Sequence, residues 1–176
     1  HEPSYMKELS IELRKMAREQ GLCDQWFGEW KDDSDNTTLF DKYKRGIDFA
    51  ISKDYPTLDY IRSHWSKQEL MDNNIFVDCK DVICHNLKGT VIVNGDCDLT
   101  LNNDFYNVCD VYIRHNSKVK VTARQWCKVM LNVYDNSEVE IECSDDAKVY
   151  IYMHTDNCSI HNTGDTEPII HKGKTY

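Results

Sequence analysis

From Val91 onward the chain repeats every 20 residues, and no other feature constrains its fold as strongly. Setting residues one period apart side by side gives Val91, Val111, Leu131 and Ile151, then Val93, Ile113, Val133 and Met153. It also gives Leu99, Val119 and Val139, then Leu101, Val121 and Ile141. Every one is apolar. An internal repeat of this length means a stack of like units, each too small to bury a core alone.

Within a repeat the apolar residues alternate with polar ones, the period of a β-strand, and two such runs flank a polar turn. The turn rows also align, with Gly95 over His115 and Asp135 and with Asn116-Ser117 over Asn136-Ser137. Strands stacked in register across repeats make a β-solenoid with a 20-residue coil, expected to run for three to four coils over residues 73–164. A sandwich of antiparallel hairpins is the alternative, but hairpins rarely hold so constant a phase. The phase slips once: Ser159 and His161 fall where Val139 and Ile141 predict apolar side chains. A one-residue insertion would turn Cys158 and Ile160 inward instead.

Residues 1–72 carry the other periodicity. Met6, Leu9, Leu13, Met16 and Ala17 lay an apolar stripe along a helix that Gly21 can end. Leu22, Cys23, Trp26, Phe27 and Trp30 repeat the spacing, and an acidic loop, Asp32-Asp33-Ser34-Asp35, follows. A third helix is expected over Leu39, Tyr43, Ile47, Ala50 and Ile51, ending before Asp54-Tyr55-Pro56. Thr57 caps a fourth over Leu58, Ile61 and Trp65, and Ser66-Lys67-Gln68-Glu69 is a capping box. Three of the four tryptophans lie here, as the core of a small helical bundle or, alternatively, as an aromatic ligand pocket. The fold class is therefore α+β: a helical domain over 1–72 capping one end of the solenoid, the solenoid over 73–164, and a C-terminal tail over 165–176.

Strand parity places the cysteines. Cys109 shares a column with Val129 and Val149, Cys127 with Ala147, and Cys143 with Ala123, all inward. There free Cys behaves as a small hydrophobe. No apolar run behind a basic N-terminus suggests a signal peptide, and no window approaches the roughly 18 apolar residues of a membrane span. Reduced thiols and a cytoplasmic location are expected. The net charge of −9 is spread over both halves, so the basic footprint of a nucleic-acid binder is missing.

Function must come from the outward columns. On the second strand Asp98, Lys118 and Glu138 alternate in sign, as do Lys120 and Glu140 beside Thr100, which reads as control of register. On the first strand Tyr112, Arg114, Met130, Tyr134, Tyr150, Tyr152 and His154 would share one flat face. Massed aromatics with Arg are the material of interface hot spots, so these seven form the candidate binding site for a protein partner. A tyrosine platform would also suit a glycan.

Catalytic chemistry finds less support. Asp96, Asp98 and Asp110 are candidate carboxylates, but turn chemistry accounts for Asp96 and the charge ladder for Asp98, and Cys97 near His115 is the one thiol–imidazole pairing that column order suggests. There is no phosphate-binding glycine loop, and no cofactor is implied. His154, Cys158 and His161, or Cys79, Cys84 and His85, are the best metal-ligand groupings, and neither has the paired spacing of a zinc site. No metal is expected.

The stretch Gly21-Leu22-Cys23-Asp24-Gln25-Trp26, the run Asp41-Lys42-Tyr43-Lys44-Arg45-Gly46-Ile47-Asp48-Phe49 with Asp54-Tyr55-Pro56 behind it, and the coils after Asn73-Asn74-Ile75-Phe76-Val77 together resemble small uncharacterised proteins of gut-bacterial phages and mobile elements. That resemblance implies a cytoplasmic product of phage or mobile-element origin and transfers no functional residue. The expected function is a non-catalytic protein-binding module, an inhibitor or adaptor. The alternatives are a self-associating structural or virion-associated module, and thirdly a glycan-binding or glycan-cleaving β-helix. A homodimer through the C-terminal end of the solenoid is expected, because the tail offers only Pro168-Ile169-Ile170 to cover that end.

Overall fold

Spacings of three and four in the first third of the chain become short helices. The computed structural model describes residues 3–32 and 34–173. Among them are α1 (Pro3–Glu19), α2 (Asp24–Glu29), α3 (Asn36–Arg45), α4 (Ile47–Lys53), α5 (Leu58–His64) and α6 (Lys67–Met71). The expected third helix is two. Gly46, with φ −99° and ψ 25°, leaves helical geometry and separates α3 from α4, as a residue of high backbone entropy readily does. Asp35 is the N-cap of α3, its carboxylate accepting the Thr38 N–H at 2.8 Å. Asp33 of the same acidic run lies outside the described residues.

The chain divides into two compact units, one ending at His64 and the other beginning at Trp65. That boundary precedes the expected one at residue 72, because α6 packs on the solenoid. In the helical unit Leu9, Leu13, Ala17, Leu39, Phe40, Ile47, Ala50 and Ile61 are buried. The tryptophans are not its core: Trp65 is buried in the other unit, while Trp26 and Trp30 are half-buried. Arg45 stands over Trp26 at 5.6 Å from the ring centre and Lys42 over Trp30 at 5.5 Å, and Trp30 Nε1 donates to Ser10 Oγ at 3.1 Å.

The second unit is a β-solenoid of two parallel sheets. β1 (Ile75–Val77), β3 (Gly89–Asn94), β5 (Val108–Ile113), β7 (Lys128–Val133), β9 (Lys148–Met153) and β11 (Ile169–Lys172) follow one another in the larger sheet. The smaller sheet holds β2 (Lys80–His85), β4 (Asp98–Asn103), β6 (Lys118–Ala123), β8 (Glu138–Cys143) and β10 (Ser159–Asn162) in order. Val111 pairs with Leu131 and Leu131 with Ile151; Val119 pairs with Val139, and every step is one period. Their side chains interlock into one core between the sheets.

Cys109, Cys127 and Cys143 are at most 2% exposed, as parity requires, and all eight cysteines are unpaired. The charge ladder is also present. Asp98 pairs with Lys118 and Lys118 with Glu138, the last two with Nζ and Oε2 3.7 Å apart.

Departures from the period sit at the ends. Ile75 pairs with Ile92, only 17 positions on, and β2 shifts register between Lys80 and Val82. At the other end Ile160 pairs with Val139, 21 positions back, so the inserted residue turns Cys158 and Ile160 to the core. Residues 165–173 are more than a tail. Ile169–Lys172 form β11, pairing with Tyr150–Met153 at an offset of 19, so the solenoid makes about five turns rather than three to four.

The N-terminal end is covered within its own unit. Ser66 Oγ accepts the Glu69 N–H at 3.1 Å while the Glu69 carboxylate accepts the Ser66 N–H at 3.2 Å. The capping box so formed holds α6 across the first rung, with Leu70 buried and Met71 packed on the core.

Candidate functional site

The larger sheet brings Tyr112, Met130, Tyr150 and Tyr152 to one side, because β5, β7 and β9 pair in register, and Arg114, Tyr134 and His154 directly follow those three strands. It does not offer all of them to a partner. Arg114, Tyr134 and His154 are 6%, 2% and 7% exposed. Rungs of a parallel sheet lie about 4.8 Å apart, so flat side chains in one column lie face to face. The His154 ring is stacked on Tyr134 with centres 4.4 Å apart and planes 4° from parallel. Arg114 Nη1 donates to Asn94 Oδ1 at 3.4 Å. That row is a buried stack, and the exposed face expected there is corrected accordingly.

Tyr112, Met130, Tyr150 and Tyr152 are half-buried. The Tyr112 hydroxyl donates to Asp110 at 3.1 Å, and Asn132 donates to the other Asp110 oxygen at 2.8 Å. Lys128 stands over the Tyr150 ring at 5.6 Å, and Tyr152 stacks on His171 at 5.1 Å. Each ring already has a neighbour in the fold.

Exposed aromatics gather elsewhere, on the turns leading from the smaller sheet back to the larger. Between β4 and β5 the chain runs Asp104-Phe105-Tyr106-Asn107, and between β6 and β7 it runs Arg124-Gln125-Trp126-Cys127. Phe105 is 71% exposed, Tyr106 69% and Trp126 59%, with Val108 beside them at 50%. The Tyr106 N–H bonds to the Gln125 carbonyl at 3.0 Å, which fixes the two turns one rung apart. Below, Arg124 Nη2 lies 3.6 Å from Asp104.

The backbone there is left-handed at both central positions: φ is 43° at Phe105, 62° at Tyr106, 54° at Gln125 and 65° at Trp126. Bulky side chains rarely occupy that region, whereas Asn, Asp and Gly do so readily. The next coil shows the ordinary solution, with Asp145 and Asp146 at φ 50° and 60°. Three large rings thus sit at strained turn positions and gain little burial. The signal was present in the repeat alignment, which sets Phe105-Tyr106 over Gln125-Trp126 over Asp145-Asp146. Weighing apolar columns alone passed over it.

The other chemistry is accounted for. The Cys97 thiol is buried and pushed up to about 11, chiefly by desolvation, the reverse of an activated nucleophile. His115 Nδ1 accepts the Gly95 N–H at 2.9 Å. Asp96 is paired to Lys80 at 2.7 Å. Among the described residues no three His, Cys, Asp or Glu side chains stand close enough to hold a metal ion. A shallow polar cleft in the helical unit, lined by Glu29, Lys31, Ser34, Asp35, Thr38 and Lys42, contains the Asp35 cap, whose pKa is lowered by its bonds to Thr38.

No family model, curated protein or solved structure matches this chain.

Proposed function

We propose that this protein is a non-catalytic binding module whose solenoid presents Phe105, Tyr106 and Trp126 to a protein partner. The observation that carries this is the pairing of strain with exposure. A left-handed bulky residue costs on the order of 1 kcal/mol, and here the fold recovers little of it by packing. Large aromatics on a rigid rim are the side chains that dominate interface energies once a partner desolvates them. Tyr112, Met130, Tyr150 and Tyr152, half-exposed on the adjoining sheet, can extend the contact.

In that role the protein acts as an inhibitor or adaptor, and an origin in a phage or mobile element fits a host protein as its target. Eight unpaired cysteines suit a reducing compartment, so we place it in the cytoplasm. No helix among the described residues is long and apolar enough to cross a membrane.

The test is a paired affinity capture, with wild type and a Phe105→Asn, Tyr106→Asn, Trp126→Asn triple variant as baits. A protein held by the first and released by the second, while the far-UV circular dichroism spectrum is unchanged, supports the reading. Equal capture by both baits, or binding of glycans on an array by wild type but not by the triple variant, overturns it.

A further inference from the structure

The larger sheet of the solenoid is covered at one edge and, among the described residues, open at the other. α6 covers the first rung, whereas β11 pairs with β9 along one edge and, among the described residues, with no strand along the other. Ile169 and Ile170 on that strand are 48% and 44% exposed.

Backbone direction defines what the open edge offers. The Gly173 N–H bonds to the Met153 carbonyl at 3.0 Å. Because alternate residues of a strand turn their polar groups to the same side, Ile169 and His171 also face β9. Ile170 and Lys172 therefore turn N–H and C=O outward, and Pro168 turns out a carbonyl with no N–H.

We propose that a second copy of this chain occupies this edge, β11 pairing antiparallel with its symmetry mate about a two-fold axis at Ile170. Like edges are the ones to meet, since α6 packs on β1 and stands in the way of head-to-tail pairing with the larger sheet; an isologous contact closes as a dimer. The residues fit that register. Ile170 exchanges both backbone bonds with its own mate, and each Lys172 N–H meets a Pro168 carbonyl, the one outward group Pro168 has. Ile170 pairs with the core residue Ile151, so the two copies of Ile170 join the cores across the axis. On the outer side Ile169 lies opposite His171. A register shifted by two residues places Pro168 opposite Ile170, losing a bond at the centre.

The experiment uses the full chain with Cys23, the exposed thiol, changed to Ser. Light scattering from 1 to 100 µM should give twice the 20.7 kDa chain mass. Lys172→Pro takes away the outward N–H and leaves the bonds to β9 in place, and should weaken the dimer at least tenfold where Lys172→Ala does not. Mild oxidation should cross-link Ile170→Cys into a covalent dimer and leave Ile169→Cys largely monomeric, because H-bonded antiparallel partners bring their Cα atoms to about 5.5 Å, within disulfide reach. A monomer at 100 µM overturns the proposal, as does a mass that climbs beyond two copies. So does a dimer that cross-links equally in the Ile169→Cys and Ile170→Cys variants or ignores Lys172→Pro. The aromatic triple variant should dimerise like wild type, which keeps this contact separate from the ridge.

Discussion

Replacing the three ridge aromatics by asparagine should make the solenoid more stable, although most removals of large apolar residues do the opposite. Phe105, Tyr106 and Trp126 hold φ of 43°, 62° and 65°, where an L-residue with a bulky side chain is strained by about 1 kcal/mol. Asn tolerates that region because its short amide bonds locally to the backbone. Against this gain stands the lost burial of the rings. With exposures of 71%, 69% and 59%, and with backbone and Cβ making up much of the covered area, each ring keeps on the order of 20 Å² from water, about 0.5 kcal/mol. The net is a gain of roughly 0.5 kcal/mol per site, about 1.5 kcal/mol for the triple variant if the sites add. Urea titration followed by circular dichroism reads this as a higher midpoint at an unchanged m-value. A triple variant destabilised by more than about 1 kcal/mol would show that the rings pack in the native state, and the argument from strain would fail.

Three further outcomes follow from the core and its ends. Burial pushes the thiols of Cys97 and Cys127 up to about 11 and that of Cys109 up to about 12. Above pH ~9 the unfolded chain therefore loses thiol protons that the native state keeps, and stability should fall by about 1.4 kcal/mol per pH unit per thiol until the folded values are reached; Cys→Ala or Cys→Val variants that melt with the same alkaline slope would contradict it. Cys23 should react with a soluble alkylating reagent at once, and Cys109, Cys127 and Cys143 only on unfolding, as mass mapping can show. Ser66→Ala breaks the capping box and should cost about 1 kcal/mol, raising hydrogen exchange in α6 and β1; no change there would mean that α6 is not needed over the first rung. At Gly164 an added Cβ would land on the backbone nitrogen and oxygen of Cys143, so Gly164→Ala should cost about 1–3 kcal/mol and deprotect residues 159–172, whereas a neutral substitution would refute that close approach.

Alternation and period alone were enough to reach the solenoid, its register, the inward cysteines and the one-residue insertion before Ile160. These follow from the sequence because a strand sends successive side chains to opposite sides, and stacking repeats that choice at every rung. The helix caps at Thr57 and Ser66 were legible for a similar reason: they are satisfied within three residues. Tertiary structure alone decided what covers what. Parity placed Arg114, Tyr134 and His154 outward, but all three are buried, Tyr134 and His154 by stacking between rungs and Arg114 beside Asn94. The rung at Ile169–Lys172 escaped because its offset of 19 breaks the period while pairing still holds it, and the offset of 17 at Ile75–Val77 hid that rung's register. The turn aromatics were visible as residues, but their meaning was not, since a left-handed φ is imposed by how two strands must be joined. Sequence determines which side of a strand a residue takes; whether that side meets solvent is a property of everything packed around it.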